Sequence, residues 1–132
     1  MGKRQTVLIV HPDAGMRDLI RTTLAAENYR VLTVPDGEAA WTVLQTLRAD
    51  AAILGLGISG RDSFELARAM RVDPVLAKTR VIMLTGWPEP ADTGAGQAVG
   101  ADYHLQDSFS PLQLLKTIRE CLAPRPGIAV GA

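Results

Sequence analysis

The stretch Ala49–Gly60, ADAAILGLGISG, decides the fold. Its Ala51-Ala52-Ile53-Leu54 core is a short, unbroken apolar run, the pattern of a strand buried on both faces of a sheet. It closes on Gly55-Leu56-Gly57, so the strand ends without a reactive side chain. Strands of the same character recur on either side. Val7-Leu8-Ile9-Val10 and Val81-Ile82-Met83-Leu84-Thr85 are equally apolar, Arg30–Val34 is half so, and Ala101–Leu105 supplies a fifth. Between them lie segments with helical spacing: Met16, Leu19, Ile20, Leu24; then Ala40, Trp41, Leu44, Leu47; then Phe64, Leu66, Ala67, Met70; and finally Leu112, Leu115, Ile118, Leu122. Helix starts are marked by His11-Pro12-Asp13, by Asp36, by Asp62 with Glu65 three residues on, and by Ser110-Pro111. Gly86–Gly100 is rich in glycine and proline, so the helix expected over about Ala91–Val99 is short and weak. Strands alternating with helices predict an α/β fold, a doubly wound five-stranded parallel sheet covered on both faces. In such sheets the working residues sit at the carboxyl ends of the strands. That directs attention to residues 11–13, 55–63, 85–88 and 104–109.

The totals narrow the function classes. One domain accounts for 132 residues, read as residues 1–123 with 124–132 as a flexible tail or linker stub. Lys plus Arg and Asp plus Glu are both 14, and this neutral balance gives no reason to expect nucleic acid or an anionic membrane as partner. Cys121 is the single cysteine, which excludes an intramolecular disulfide and a thiolate metal cluster. With neither a signal peptide at the N-terminus nor an apolar run of membrane-spanning length, the expected location is cytoplasmic. His11-Pro12-Asp13-Ala14-Gly15 is not a glycine-rich phosphate loop, which disfavours a flavin or nucleotide binder of the usual kind.

The segments VLIVHPDAGMRDLI, NYRVLTVPDGEAAW, DAAILGLGISGRDSFELARAMR, RVIMLTG and GADYHLQDSFSPLQLL, in this order and spacing, resemble the receiver domain of two-component response regulators. The resemblance runs from about Thr6 to Leu122. It implies a (βα)5, flavodoxin-like fold. It also implies a chemistry in which a phosphoryl group passes from a histidine kinase to an aspartate at the end of the third strand. That chemistry uses an acidic pair after the first strand to hold Mg²⁺, a Thr or Ser after the fourth strand, and a Lys after the fifth.

Carried onto this chain, the acceptor position falls on Gly55, the acidic pair on His11 and Pro12, the hydroxyl on Thr85 and the lysine on Asp107. Asp13 stands where many receivers have a further acid. Only Thr85 keeps the family chemistry. The resemblance therefore implies a degenerate receiver whose phosphorylation pocket is His11, Pro12, Asp13, Gly55, Thr85 and Asp107. No catalytic residue, metal or cofactor is expected, because His11, Asp13 and Asp107 lack a fourth ligand. His11 and Asp107 exchange the family's acid and base, and are expected to lie close together on neighbouring strands.

The expected function is a phosphorylation-independent signalling and interaction module, not an enzyme, that acts through a protein partner or output domain. A homodimer through the fourth helical segment, the fifth strand and the last helix is one form this could take. The candidate surface is Trp87, Tyr103, His104, Gln106, Gln113, Lys116 and Arg119. His104 takes the place of the family's switch aromatic. Trp87 is either an interface anchor or a plug for the emptied pocket. The alternative function is an active receiver phosphorylated at a non-standard residue such as Asp62, or at Ser59 or Ser63.

Overall fold

The computed structural model describes residues 4–55, 62–85, 101–106 and 109–123. Five strands, β1 (Thr6–Val10), β2 (Arg30–Val34), β3 (Ala51–Gly55), β4 (Arg80–Thr85) and β5 (Tyr103–Gln106), form one parallel sheet in the order β2-β1-β3-β4-β5. Four α-helices are described: α1 (Ala14–Ala25), α2 (Gly37–Thr46), α3 (Ser63–Val72) and α4 (Pro111–Leu122). A 3-10 turn at Leu76–Lys78 leads into β4. The helix expected over about 91–99 lies outside the described residues.

Alternation along each strand sends successive side chains to opposite faces, and each face has its own core. Leu8, Val10, Ala52, Leu54, Val81 and Met83 pack with Ala40 and Leu44 of α2 and Leu66, Ala67 and Met70 of α3. On the other face Val7, Ile9, Ala51, Ile53, Ile82 and Leu84 meet Ile20 and Leu24 of α1 and Leu114, Ile118 and Cys121 of α4. Each fully buried Leu or Ile contributes about 1.5–3 kcal/mol, which is why the central strands need no polar residue to hold their place. Trp41, expected in the core, is partly buried at the margin of the first cluster.

All four helix starts are capped as the sequence indicates. Asp13, Asp36 and Asp62 each accept the backbone N–H three residues on at 2.8 Å, and Ser110 accepts that of Gln113 at 3.2 Å. Two helical stripes differ from expectation. Leu19 is 46% exposed and Leu112 is 76% exposed. In α4 the buried stripe is Leu114–Ile118–Cys121, spaced i, i+4, i+7, which turns Leu112 to the outside. Helix α1 ends at Ala25, and Asn28, at φ 69°, turns the chain into β2. Asparagine tolerates this left-handed conformation better than most residues.

Candidate functional site at the carboxyl edge of the sheet

The register Val10↔Leu54 sets His11 beside Gly55 just past the ends of the two central strands. The ring of His11 leans over the glycine. A Cβ built on Gly55 would lie 2.4 Å from His11 Cδ2 and 3.1 Å from Cγ, well inside van der Waals contact. The ring is held there by the backbone N–H of Asp13, which donates to Nδ1 at 3.0 Å. The loop beneath it is clamped by Arg17, whose Nη1 donates to the carbonyls of His11 at 2.8 Å and Pro12 at 3.2 Å. On the far side, the buried Ser63 hydroxyl donates to the Gly55 carbonyl. The glycine is thus held between the His11 ring and the Ser63 hydroxyl, both groups of its own chain.

The other pocket residues divide clearly. The Asp13 carboxylate is turned away to cap α1 through Met16 N–H. Pro12 is exposed and offers only its carbonyl, which Arg17 takes. The backbone of Thr85 ends β4 opposite Gln106. Asp107 and Trp87 lie outside the described residues, and with them the expected His11–Asp107 proximity and the metal set that includes Asp107. Among the described residues no group of three His, Cys, Asp or Glu side chains is placed to hold a metal ion.

Asp62 and Ser63, the other acceptors considered, are both engaged. Asp62 forms a complete capping box with Glu65, whose carboxylate accepts the Asp62 N–H at 3.3 Å. Ser59 lies outside the described residues. No sequence pattern announces the Arg17 clamp, since a long side chain reaching back to a loop carbonyl leaves none. The role of Ser63 is visible only once α3 is docked under β3.

The expected partner surface is only partly continuous. Tyr103 and His104 are adjacent on β5 and so face opposite sides of the sheet. Tyr103 packs against the α1/α4 core, while His104 is paired with Met83 on the α2/α3 side. His104 Nε2 is buried and has no hydrogen-bond partner among the described residues. Gln106 and Lys116 are exposed, whereas Gln113 closes the α4 cap by accepting the Ser110 N–H at 2.9 Å. Arg119 reaches across to Glu27 at 3.1 Å, with both side chains largely exposed. Nearby, burial raises the Tyr29 phenol above its ordinary value, with Arg119 opposing the shift and Glu27 adding to it.

A five-stranded parallel sheet in this order, with helices on both faces, is the doubly wound, flavodoxin-like architecture that receiver domains share. The family model described as "Response regulator receiver domain" matches residues 7–119, and the chain belongs to that family. Among curated relatives, the transcriptional regulatory protein GltR of Pseudomonas aeruginosa is 34% identical over 118 residues. That match covers 89% of this chain and 49% of GltR. The DNA-binding response regulator MtrA of Mycobacterium tuberculosis is 28% identical over 116 residues, covering 88% of this chain and 50% of MtrA. The chain therefore spans about half the length of the curated relatives it matches. Among solved structures, the chemotaxis response regulator CheY4 of Vibrio cholerae superposes with a TM-score of 0.87 at 32% identity. It covers 91% of this chain and all of CheY4. A putative response regulator from Chloroflexus aurantiacus gives 0.88 at 27% identity, covering 92% of this chain and all of that one. Among the described residues no helix is long and apolar enough to cross a membrane.

Proposed function

We propose that this receiver works as a phosphorylation-independent interaction module. One observation carries the reading: the space into which a side chain at position 55 would project is filled by the His11 ring, 2.4 Å from where a Cβ would stand. Position 55 is where the family's acceptor aspartate falls. An aspartate there would have to displace a ring tied to the Asp13 N–H. Mg²⁺ binding fits poorly as well. His11 and Pro12 replace the acidic pair, and the Asp13 carboxylate is occupied as a helix cap. Hard divalent cations require oxygen donors free to turn toward them. The capping role of Asp62 and the burial of Ser63 argue against both as acceptors.

The module spans residues 1–123, with 124–132 as a tail or linker, and works in the cytoplasm. Its partner is a protein or output domain that docks on the side formed by β5 and α4, where Gln106, Lys116 and Arg119 are exposed. Trp87 and His104 belong to the same proposed surface. A homodimer is the simplest form of such docking.

The test is a two-dimensional NMR titration with Mg²⁺ and then beryllofluoride, a stable mimic of an acyl phosphate. The expected result is no saturable change at Gly55, Thr85 or Asp107. Localised, saturable shifts at those amides would restore the active-receiver reading, with Asp62 the first residue to substitute.

A further inference from the structure

The opposite edge of the sheet carries a cleft that the receiver architecture does not account for. It has a volume of about 650 Å³ and is lined by Arg4, Thr6, Arg30, Leu47, Arg48 and Asp50. Three arginines line this space: Arg4 just before β1, Arg30 at the start of β2 and Arg48 in the turn before β3. The three arginines make no ion pair or side-chain hydrogen bond among the described residues. The one carboxylate in the lining, Asp50, is turned onto the backbone, where its Oδ2 accepts the Thr6 N–H at 2.7 Å. The lining thus sets three arginines against one carboxylate, a local positive excess on a chain whose formal net charge is zero.

The floor of the cleft is rigid. Asp50 N–H donates to the Thr6 carbonyl at 2.8 Å, Arg80 N–H to the Asp50 carbonyl at 3.0 Å, and Arg30 N–H to the Gln5 carbonyl at 2.9 Å. The buried Thr79 hydroxyl donates to the Ala49 carbonyl at 2.8 Å. These bonds fix the backbone on which Arg30 and Arg48 stand, so binding has to order the exposed arginine side chains but not the strand ends. Guanidinium groups bind phosphate oxygens bidentately and keep their charge at every accessible pH. A volume of this size suits a small molecule, and Leu47 provides one apolar wall.

We infer that this cleft binds a small polyphosphorylated ligand, held by Arg4, Arg30 and Arg48. Inorganic polyphosphate and a nucleoside triphosphate share the required chemistry, and Leu47 would distinguish them by contact with a base. The site lies across the sheet from His11 and Gly55 and stands independently of the function proposed above.

The test is a metal-free NMR titration of the whole chain with sodium tripolyphosphate, repeated with ATP and with a hexaglutamate peptide. The expected result is saturable shifts at the amides of Thr6, Arg30, Arg48 and Asp50 by about 1 mM, with His11 and Gly55 unmoved. Arg30→Gln and Arg48→Gln should each weaken binding about ten-fold. Both residues are exposed, so both variants should keep the wild-type spectrum elsewhere. Tighter binding of ATP assigns a nucleotide; equal binding assigns the polyphosphate alone. The inference is overturned by an absence of saturation, by equal affinity in the arginine variants, or by hexaglutamate binding in preference to tripolyphosphate.

Discussion

At the carboxyl edge of the sheet, side chains fold back onto their own backbone: His11 over Gly55, Asp13 onto α1, Arg17 onto the loop carbonyls, Ser63 onto Gly55. At the amino edge the backbone is tied strand to strand, and Arg4, Arg30 and Arg48 are left facing a cleft. Both edges are well braced, and side chains share in both braces. At the carboxyl edge the described residues that surround Gly55 are themselves the brace, so few of their groups are left to meet a ligand. At the amino edge the bracing falls to Asp50, Arg71, Thr79 and Asp102 together with the backbone, and Arg4, Arg30 and Arg48 remain available. On the two proposals made above, one scaffold would lose chemistry at one end of its strands and keep recognition at the other.

Removing the Asp102–Arg71 clamp at the amino edge should have the largest effect. Asp102 Oδ2 accepts the N–H of the fully buried Val81 at 2.8 Å and an Nη2–H of Arg71 at 3.0 Å. Arg71 also donates to the carbonyls of Ala77 at 2.6 Å and Thr79 at 3.0 Å. Asp102→Ala leaves a buried donor unpaired beside a guanidinium that has lost its carboxylate. It should destabilise the fold by about 2–3 kcal/mol, read as a lower urea midpoint at unchanged slope. A loss below about 0.5 kcal/mol would mean that this edge is not held by its polar clamp.

The next effect sharpens the reading of the other edge. Gly55→Ala forces the His11 ring to turn and give up the Asp13 N–H, an overpacking cost of about 1–3 kcal/mol. His11→Ala combined with Gly55→Ala should recover most of that loss, because the clash disappears with the ring. The double-mutant cycle in urea measures this directly. Additive losses would show that the ring and the glycine are independent, and the proposed function would lose its main support.

The sequence made the fold legible because each element announces itself locally. VLIV and AAIL can only be doubly buried strands, and Asp36, Asp62 and Ser110 stand at helix starts with their partners at the right spacing. Glycine at position 55 and histidine at 11 were equally plain. Their contact was not, since it depends on the register that brings β1 beside β3. The arginine cleft was hidden for the same reason: Arg4, Arg30 and Arg48 are far apart in the chain and meet only through the order of the strands. Leu112 misled because a 3-4 stripe can be drawn through either of two neighbouring faces of α4, and only packing on β5 and α1 selects one.

Asp62 gives the smallest effect and the cleanest separation of the two accounts of the carboxyl edge. As a helix cap its carboxylate accepts the Glu65 N–H at 2.8 Å and makes no other hydrogen bond among the described residues. Asp62→Ala should then cost about 1 kcal/mol, while Asp62→Asn, which can still cap, should cost a few tenths at most. As a phospho-acceptor it would behave differently. Asn cannot form an acyl phosphate, so both variants would abolish any labelling by a small acyl-phosphate donor, whatever their stability. Mass spectrometry of the wild type and both variants after treatment with such a donor distinguishes these outcomes. A wild-type chain that gains no phosphoryl group, together with an Asn variant of near-native stability, leaves Asp62 as a cap. A phosphoryl group on the wild type that is lost in the Asn variant returns the reaction to this edge, with the capping carboxylate as its acceptor.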